Sequence, residues 1–171
     1  MTNLVNYRIY GENHSQPIYI LHGIFGMLDN WHLVAQKLSE NYRVVTFDAR
    51  NHGKSFHDVD ASYSAMIQDL RELMIHLGDA SGIIMGHSMG GKTAMAFADR
   101  FPEMVDQLIV VDIAPKRYVP GHLGYFRAFK EVPLHLLNYQ GHIGKYSHYM
   151  ISKASNIGKS LTCSTSQRTP A

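Results

Sequence analysis

The sequence has one cysteine, Cys163, in 171 residues. A single thiol can close no internal disulfide and build no cysteine-ligated zinc cage, so both classes of stapled scaffold are excluded. An excess of charge is also missing. Sixteen Lys and Arg stand against fourteen Asp and Glu, a formal net charge of +2, which gives no footing for a nucleic-acid or membrane-surface binder. No apolar run is long enough for a membrane-spanning helix. Residues 1–15 (MTNLVNYRIYGENHS) show no basic start followed by an apolar stretch, so no secretory leader is expected and a cytoplasmic location is. Eleven histidines are present, but there is no H-E-x-x-H and no tight His/carboxylate cluster. Scattered core and surface histidines are expected rather than a metal site.

What is there reads as globular: 45% hydrophobic and 18% charged residues, in a length that suits one domain with a real core. Leu4 to Tyr10 alternates loosely, as an edge strand does. The run from Ile18 to Leu21 ends at a His-Gly pair and reads as a buried strand. Trp31, Val34, Ala35 and Leu38 have helical spacing, with Asp29 or Asn30 placed to cap. The segment YRVVTFD is a second buried strand closing at Asp48, and the polar stretch after it is a loop. Met66, Ile67, Leu70, Leu73, Met74 and Leu77 mark one face of a long helix. GIIMG is a strand, the segment from Met89 to Phe101 a helix ending before Pro102, and DQLIVVDIAP another strand. Strands alternating with helices predict a mostly parallel, doubly wound α/β sheet. The order stops after about Leu137: residues 138–171 hold no sustained period, and a disordered or non-native tail is expected there.

The stretch from Gly82 to Met95, GIIMGHSMGGKTAM, supports two chemistries. Gly86-His87-Ser88-Met89-Gly90 is G-x-S-x-G, the strand-to-helix elbow that exposes a serine nucleophile. The same residues through Gly91-Lys92-Thr93 spell a phosphate-cradling loop, with Asp112 after an apolar strand as the matching magnesium ligand. Context weighs against nucleotide binding by Lys92 and Asp112. Only a helix and a short turn separate the two residues. The glycine-rich loop His22-Gly23-Ile24-Phe25-Gly26 also has no task in a nucleotide site. In a hydrolase that loop supplies a backbone N–H to an oxyanion hole, and its glycines let main chain approach a reacting carbonyl.

Four segments in order, HGIFGMLDNW, DARNHGKS, GHSMGGKTAM and VVDIAP, resemble the α/β-hydrolase superfamily, and within it the YbfF-like bacterial esterases and their mitochondrial relatives. The resemblance runs from about Pro17 to about Leu137. It implies an α/β-hydrolase fold whose C-terminal strands and most of whose cap are missing, with the cap beginning near residues 122–137. It further implies Ser88 as nucleophile, the N–H groups of Ile24 and Met89 as oxyanion hole, and Asp112 as the acid. His22, Phe25 and His87 would line the substrate pocket, with His22 and His52 at its floor. Asp48 would order the loop Arg50-Asn51-His52-Gly53. The substrates implied are small carboxylic esters or acyl thioesters, with no cofactor and no nucleic-acid, membrane or defined protein partner.

Chain order in this fold is Ser, Asp, His, and a strand–Gly-His loop is not found after Asp112. His122, His135, His142 and His148 lack that context. The catalytic histidine is expected beyond the C-terminus, and activity of this chain is expected to be impaired. A nucleotide-binding domain using Lys92 and Asp112 and a catalytically dead hydrolase remnant are the remaining alternatives.

Overall fold

In the computed structural model of the chain, residues 4–116 are described. The expected start of the cap, the tail and the four downstream histidines lie outside the described residues.

The two short apolar runs form the centre of the sheet. β2 (Pro17–Leu21) is buried along its whole length, and β3 (Arg43–Phe47) along all but its first residue. Such strands, covered on both faces, carry no polar alternation. β1 (Tyr7–Tyr10) runs antiparallel along the outer side of β3, pairing Tyr7 with Phe47 and Tyr10 with Val44. β4 (Gly82–His87) and β5 (Val105–Val111) complete a five-stranded sheet in the order β1-β3-β2-β4-β5. All pairings except β1–β3 are parallel.

Successive residues of a strand face opposite sides of the sheet, so the core has two halves. Ile18, Ile20, Val44 and Ile83 pack with Ala35 of α1 (His32–Leu38). Tyr19, Leu21, Val45, Phe47 and Ile84 pack against Leu70, Leu73 and Met74 of α2 (Tyr63–His76) and against Ala94 and Phe97 of α3 (Met89–Arg100). The apolar face read for α2 is the buried one. Ser62 caps this helix, its hydroxyl accepting the Ala65 N–H at 3.2 Å.

The cap expected of Asp29 or Asn30 is not made. A 3-10 turn over Leu28–Trp31 precedes α1, and the helix has no side-chain cap. Asn30 Oδ1 instead accepts the Met27 N–H at 2.7 Å, and Asp29 pairs with Arg8. Of the four residues at helical spacing, Val34 is exposed, because the short helix buries only Ala35 fully.

Two ion pairs, one partly buried and one buried, brace the loops. At the N-terminal end of the sheet, Asp79 accepts from both Arg43 and the phenol of Tyr19, and burial pushes the Tyr19 hydroxyl well above its ordinary pKa. At the other end, Arg50 grips Asp69 of α2 with two hydrogen bonds, Nε to Oδ2 at 2.6 Å and Nη2 to Oδ1 at 2.7 Å. Its remaining Nη1 donates to the Asp60 carbonyl at 2.7 Å.

The order of the strands fixes where the loops meet. The chain leaves β2 toward β3 on one side and leaves β4 toward β5 on the other. The C-terminal ends of β2 and β4 therefore flank the point where the winding reverses, and loops that part there leave a crevice.

Candidate active site

Two segments identified in the sequence meet at this crevice. β4 ends at His87 and α3 begins at Met89, so Ser88 alone makes the turn. Its backbone is held at φ 52° and ψ −110°, which a non-glycine residue adopts only under strain imposed by its surroundings. Gly86 and Gly90 make the turn possible. A Cβ on Gly86 would overlap the Gly90 carbonyl, and one on Gly90 would stand 2.5 Å from the Leu21 carbonyl oxygen. A serine at a helix N-terminus ordinarily has extended backbone and caps with its hydroxyl; Ser88 does neither. The sequence alone could have signalled this only through the flanking glycines.

The phosphate-loop alternative fails on the same geometry. A phosphate cradle needs several residues of loop between strand and helix, and one residue separates them here. The Lys92 ammonium lies 6.0 Å from the Tyr63 ring on α2.

The loop after β2 lies against this turn. A Cβ on Gly23 would stand 2.8 Å from His87 Nδ1 and 3.3 Å from Ser88 Cβ. Gly26 N–H donates to the Gly23 carbonyl at 3.0 Å and closes a tight turn, with Phe25 at φ 63°. Turns of this kind usually place glycine or asparagine at that position. In fact the four non-glycine residues with positive φ among those described, Phe25, Asn51, Ser88 and Asp112, follow β2, β3, β4 and β5 in turn. Backbone strain is collected along one edge of the sheet.

Asp112 stands just past the end of β5, where the Val111 carbonyl accepts the Ser88 N–H at 3.1 Å. Its side chain is 85% exposed and lies 3.6 Å from His87 Nε2. Ile24, Phe25 and His87 line an open groove of about 480 Å³ together with Asn30, Trp31 and Val34, within the usual size of ligand clefts. Trp31 and His87 meet edge to face, ring centroids 6.4 Å apart. Behind the turn, Met89 and Thr93 border a cavity of about 10 Å³, room for about one water.

His22 also borders the groove, yet it is 2% exposed and its ring nitrogens serve the main chain. Nε2 accepts the Ala49 N–H at 3.0 Å, and Nδ1 lies 2.8 Å from the Gly23 carbonyl. An amide N–H can only donate and a carbonyl can only accept, so the ring is neutral with its proton on Nδ1. Burial holds the His22 pKa below its ordinary value, helped by the nearby His52, while Gly23 and Asp48 act the other way. The folded state then binds fewer protons than the unfolded chain just below pH 6.5, and stability rises with pH there. The stabilisation is fully present above about pH 6.5 and is lost as pH falls toward the depressed folded value. Melting temperature followed from pH 7.5 to 5 is expected to fall less in His22→Asn than in the parent chain. Equal slopes would refute this.

Asp48, read as an organiser of the neighbouring loop, is saturated with donors. Oδ1 accepts the Leu28 N–H at 2.8 Å, and Oδ2 accepts the Lys54 N–H at 2.9 Å and the Asn6 side-chain amide at 2.7 Å. The Ser55 hydroxyl donates to the Asp48 carbonyl at 2.6 Å. Arg50 does not reach the crevice, because Asp69 holds it. That anchor was not legible in the sequence: Asp69 sits on the apolar face of α2, where a carboxylate breaks the pattern. Among the described residues no group of three His, Cys, Asp or Glu side chains is placed to hold a metal ion, and no helix is long and apolar enough to cross a membrane.

A parallel sheet wound in both directions, with a one-residue serine turn at its switch point, defines an α/β hydrolase, and the chain belongs to the α/β hydrolase fold family, which matches residues 16–137. It is 49% identical over 121 residues to the sn-1-specific diacylglycerol lipase ABHD11 of Mus musculus, covering 69% of this chain and 39% of that protein. It is 37% identical over 122 residues to the esterase YbfF of Escherichia coli, covering 71% of this chain and 48% of that protein. A solved marine microorganism esterase superposes with a TM-score of 0.76 at 36% identity, over 90% of this chain and 59% of that one. The chain thus spans less than half the length of these two curated relatives.

Proposed function

We propose that this chain carries the nucleophile and oxyanion-binding half of a serine hydrolase acting on carboxylic esters or acyl thioesters. The observation that carries the reading is Ser88, alone between strand and helix at φ 52°, with the Gly23 loop against it. Esterase and lipase relatives agree with it.

The step required is acyl transfer. Ser88 Oγ bonds to the carbonyl carbon while its proton passes to a base, and the carbonyl π pair moves onto oxygen. The N–H groups of Ile24 and Met89 receive that negative charge. Met89 is the first residue of α3, where main-chain N–H groups have no intrahelical acceptor and the helix dipole favours an anion. The carbonyl re-forms as the bond to the alcohol or thiol breaks, and the leaving group takes the proton. Water repeats the sequence, releasing the acid and restoring Ser88. His22 cannot be the base, since its Nε2 lone pair is engaged by Ala49. The reading assigns that role in the whole protein to a histidine downstream of Asp112, which orients it.

A fluorophosphonate-biotin probe is expected to label the chain at Ser88 slowly, the oxyanion hole acting without the downstream histidine, and to leave Ser88→Ala unlabelled at equal thermal stability. Label on the variant, or none on the parent chain, overturns the reading. Binding of a fluorescent ATP analogue lost in Lys92→Ala would point to the nucleotide alternative instead.

A further inference from the structure

The Gly23–Ile24 peptide holds the N–H assigned above to the oxyanion, and a single peptide plane can face either way. A glycine at its start lowers the barrier to a flip, because no side chain resists it. Something else must set its direction.

We propose that His22 is the positioning residue that fixes the Gly23–Ile24 peptide plane, and so aims the Ile24 N–H into the crevice beside Ser88. The inference rests on the serine-hydrolase reading. In a trans peptide the C=O and N–H point in opposite directions. The Gly23 carbonyl is held inward by two donors, His22 Nδ1–H at 2.8 Å and Gly26 N–H at 3.0 Å. The N–H of Ile24, on the other side of the same plane, is turned outward. His22 donates from Nδ1 only because Ala49 N–H occupies Nε2 at 3.0 Å. The neutral ring is therefore a relay of direction: the end of β3 dictates the tautomer, and the tautomer dictates the peptide. Asp48, the neighbour of Ala49, holds the far end of the same loop through Leu28 N–H at 2.8 Å. Two consecutive residues after β3 thus brace both ends of the loop that faces Ser88. A flipped peptide would place the Gly23 oxygen where negative charge must form and would abandon both donors. His22 meets no substrate in this scheme.

Two near-isosteric substitutions separate the two ring nitrogens. Asparagine puts an amide donor near the position of Nδ1, and glutamine puts an amide oxygen near that of Nε2. His22→Asn keeps the bond to Gly23 and loses the one to Ala49, and His22→Gln does the reverse. With melting temperatures matched, His22→Gln is expected to be labelled by the fluorophosphonate-biotin probe about tenfold more slowly than His22→Asn, the loss lying in the maximal rate and not in half-saturation. A merely structural role would slow the two in proportion to lost stability. In NMR spectra, an Ile24 amide proton to Ser88 Hβ cross-peak is expected in the parent chain and His22→Asn, and not in His22→Gln. Equal labelling of the two variants, or the cross-peak surviving in His22→Gln, overturns the proposal. Failure of the parent chain to be labelled would count against the serine-hydrolase reading, while the cross-peaks still decide the peptide. Should His22→Gln not fold, the parent chain decides: an Nε2–H tautomer or a charged ring at pH 7 in long-range ¹H–¹⁵N spectra refutes the lock.

Discussion

Asp69→Ala is expected to destabilise the fold by about 3–5 kcal/mol, the usual consequence of removing one partner from a buried ion pair. That is a large share of the roughly 5–15 kcal/mol that holds a domain of ordinary stability together. The side chains of Arg50 and Asp69 are only 11% and 6% exposed, so water cannot replace the lost carboxylate. The bidentate bond raises the Arg50 pKa still further, and the guanidinium has no neutral form to retreat to. It would be left charged against the Phe56 ring, whose centroid is 5.4 Å away. The loop from Ala49 to Ser62 is pinned to α2 by this pair, and Ala49 is also the residue that engages His22. Urea unfolding should therefore show a large drop in midpoint. The double variant Arg50→Met/Asp69→Leu should recover much of it, because a buried pair replaced by apolar residues of similar volume is often tolerated. A single variant within about 1 kcal/mol of the parent, the level of an exposed pair, would show that the pair contributes little.

Gly86→Ala is the second large effect. The added methyl would enter the space of the Gly90 carbonyl, with Gly91 N at 2.7 Å. Both are main chain, and no rotamer can relieve the overlap. Strand β4 and helix α3 would have to separate at the turn, at a cost of about 3 kcal/mol or more. Labelling of Ser88 should fall with it, since the strained φ persists only while the surroundings enforce it. Gly78→Ala makes the control. Gly78 also has a positive φ, 77°, but nothing lies within 4 Å of its missing Cβ, so only the conformational cost of about 1–2 kcal/mol applies. Comparable losses of stability and label in the two variants would mean that close packing at the turn is not what holds it.

Much of this molecule is legible in its residue order. Helical periodicity locates α2, and short β-branched apolar runs bounded by turn residues locate β2, β3 and β4, each to within a residue or two. The spelling G-H-S-M-G between a strand and a helix identified the turn at Ser88, since only glycine tolerates main chain at such close range. The loop His22–Gly26 borders the groove beside Ser88, and the aspartate after VV stands 3.6 Å from His87, next to that serine. The N-terminus of α1 departs from its residue order: Asp29 and Asn30 are good capping residues, but a salt bridge to Arg8 and a turn with Met27 claim them.

What only the tertiary structure decided is how these loops are held. Pattern reading sees residues close in sequence, and the braces here join residues far apart: Asp69 to Arg50, Leu28 to Asp48, Ala49 to His22. The tautomer of His22 shows why. An imidazole in isolation can carry its neutral proton on either nitrogen, and nothing in the letters HGIFG chooses between them. The choice comes from the N–H of Ala49, which arrives from the neighbouring strand when the sheet closes.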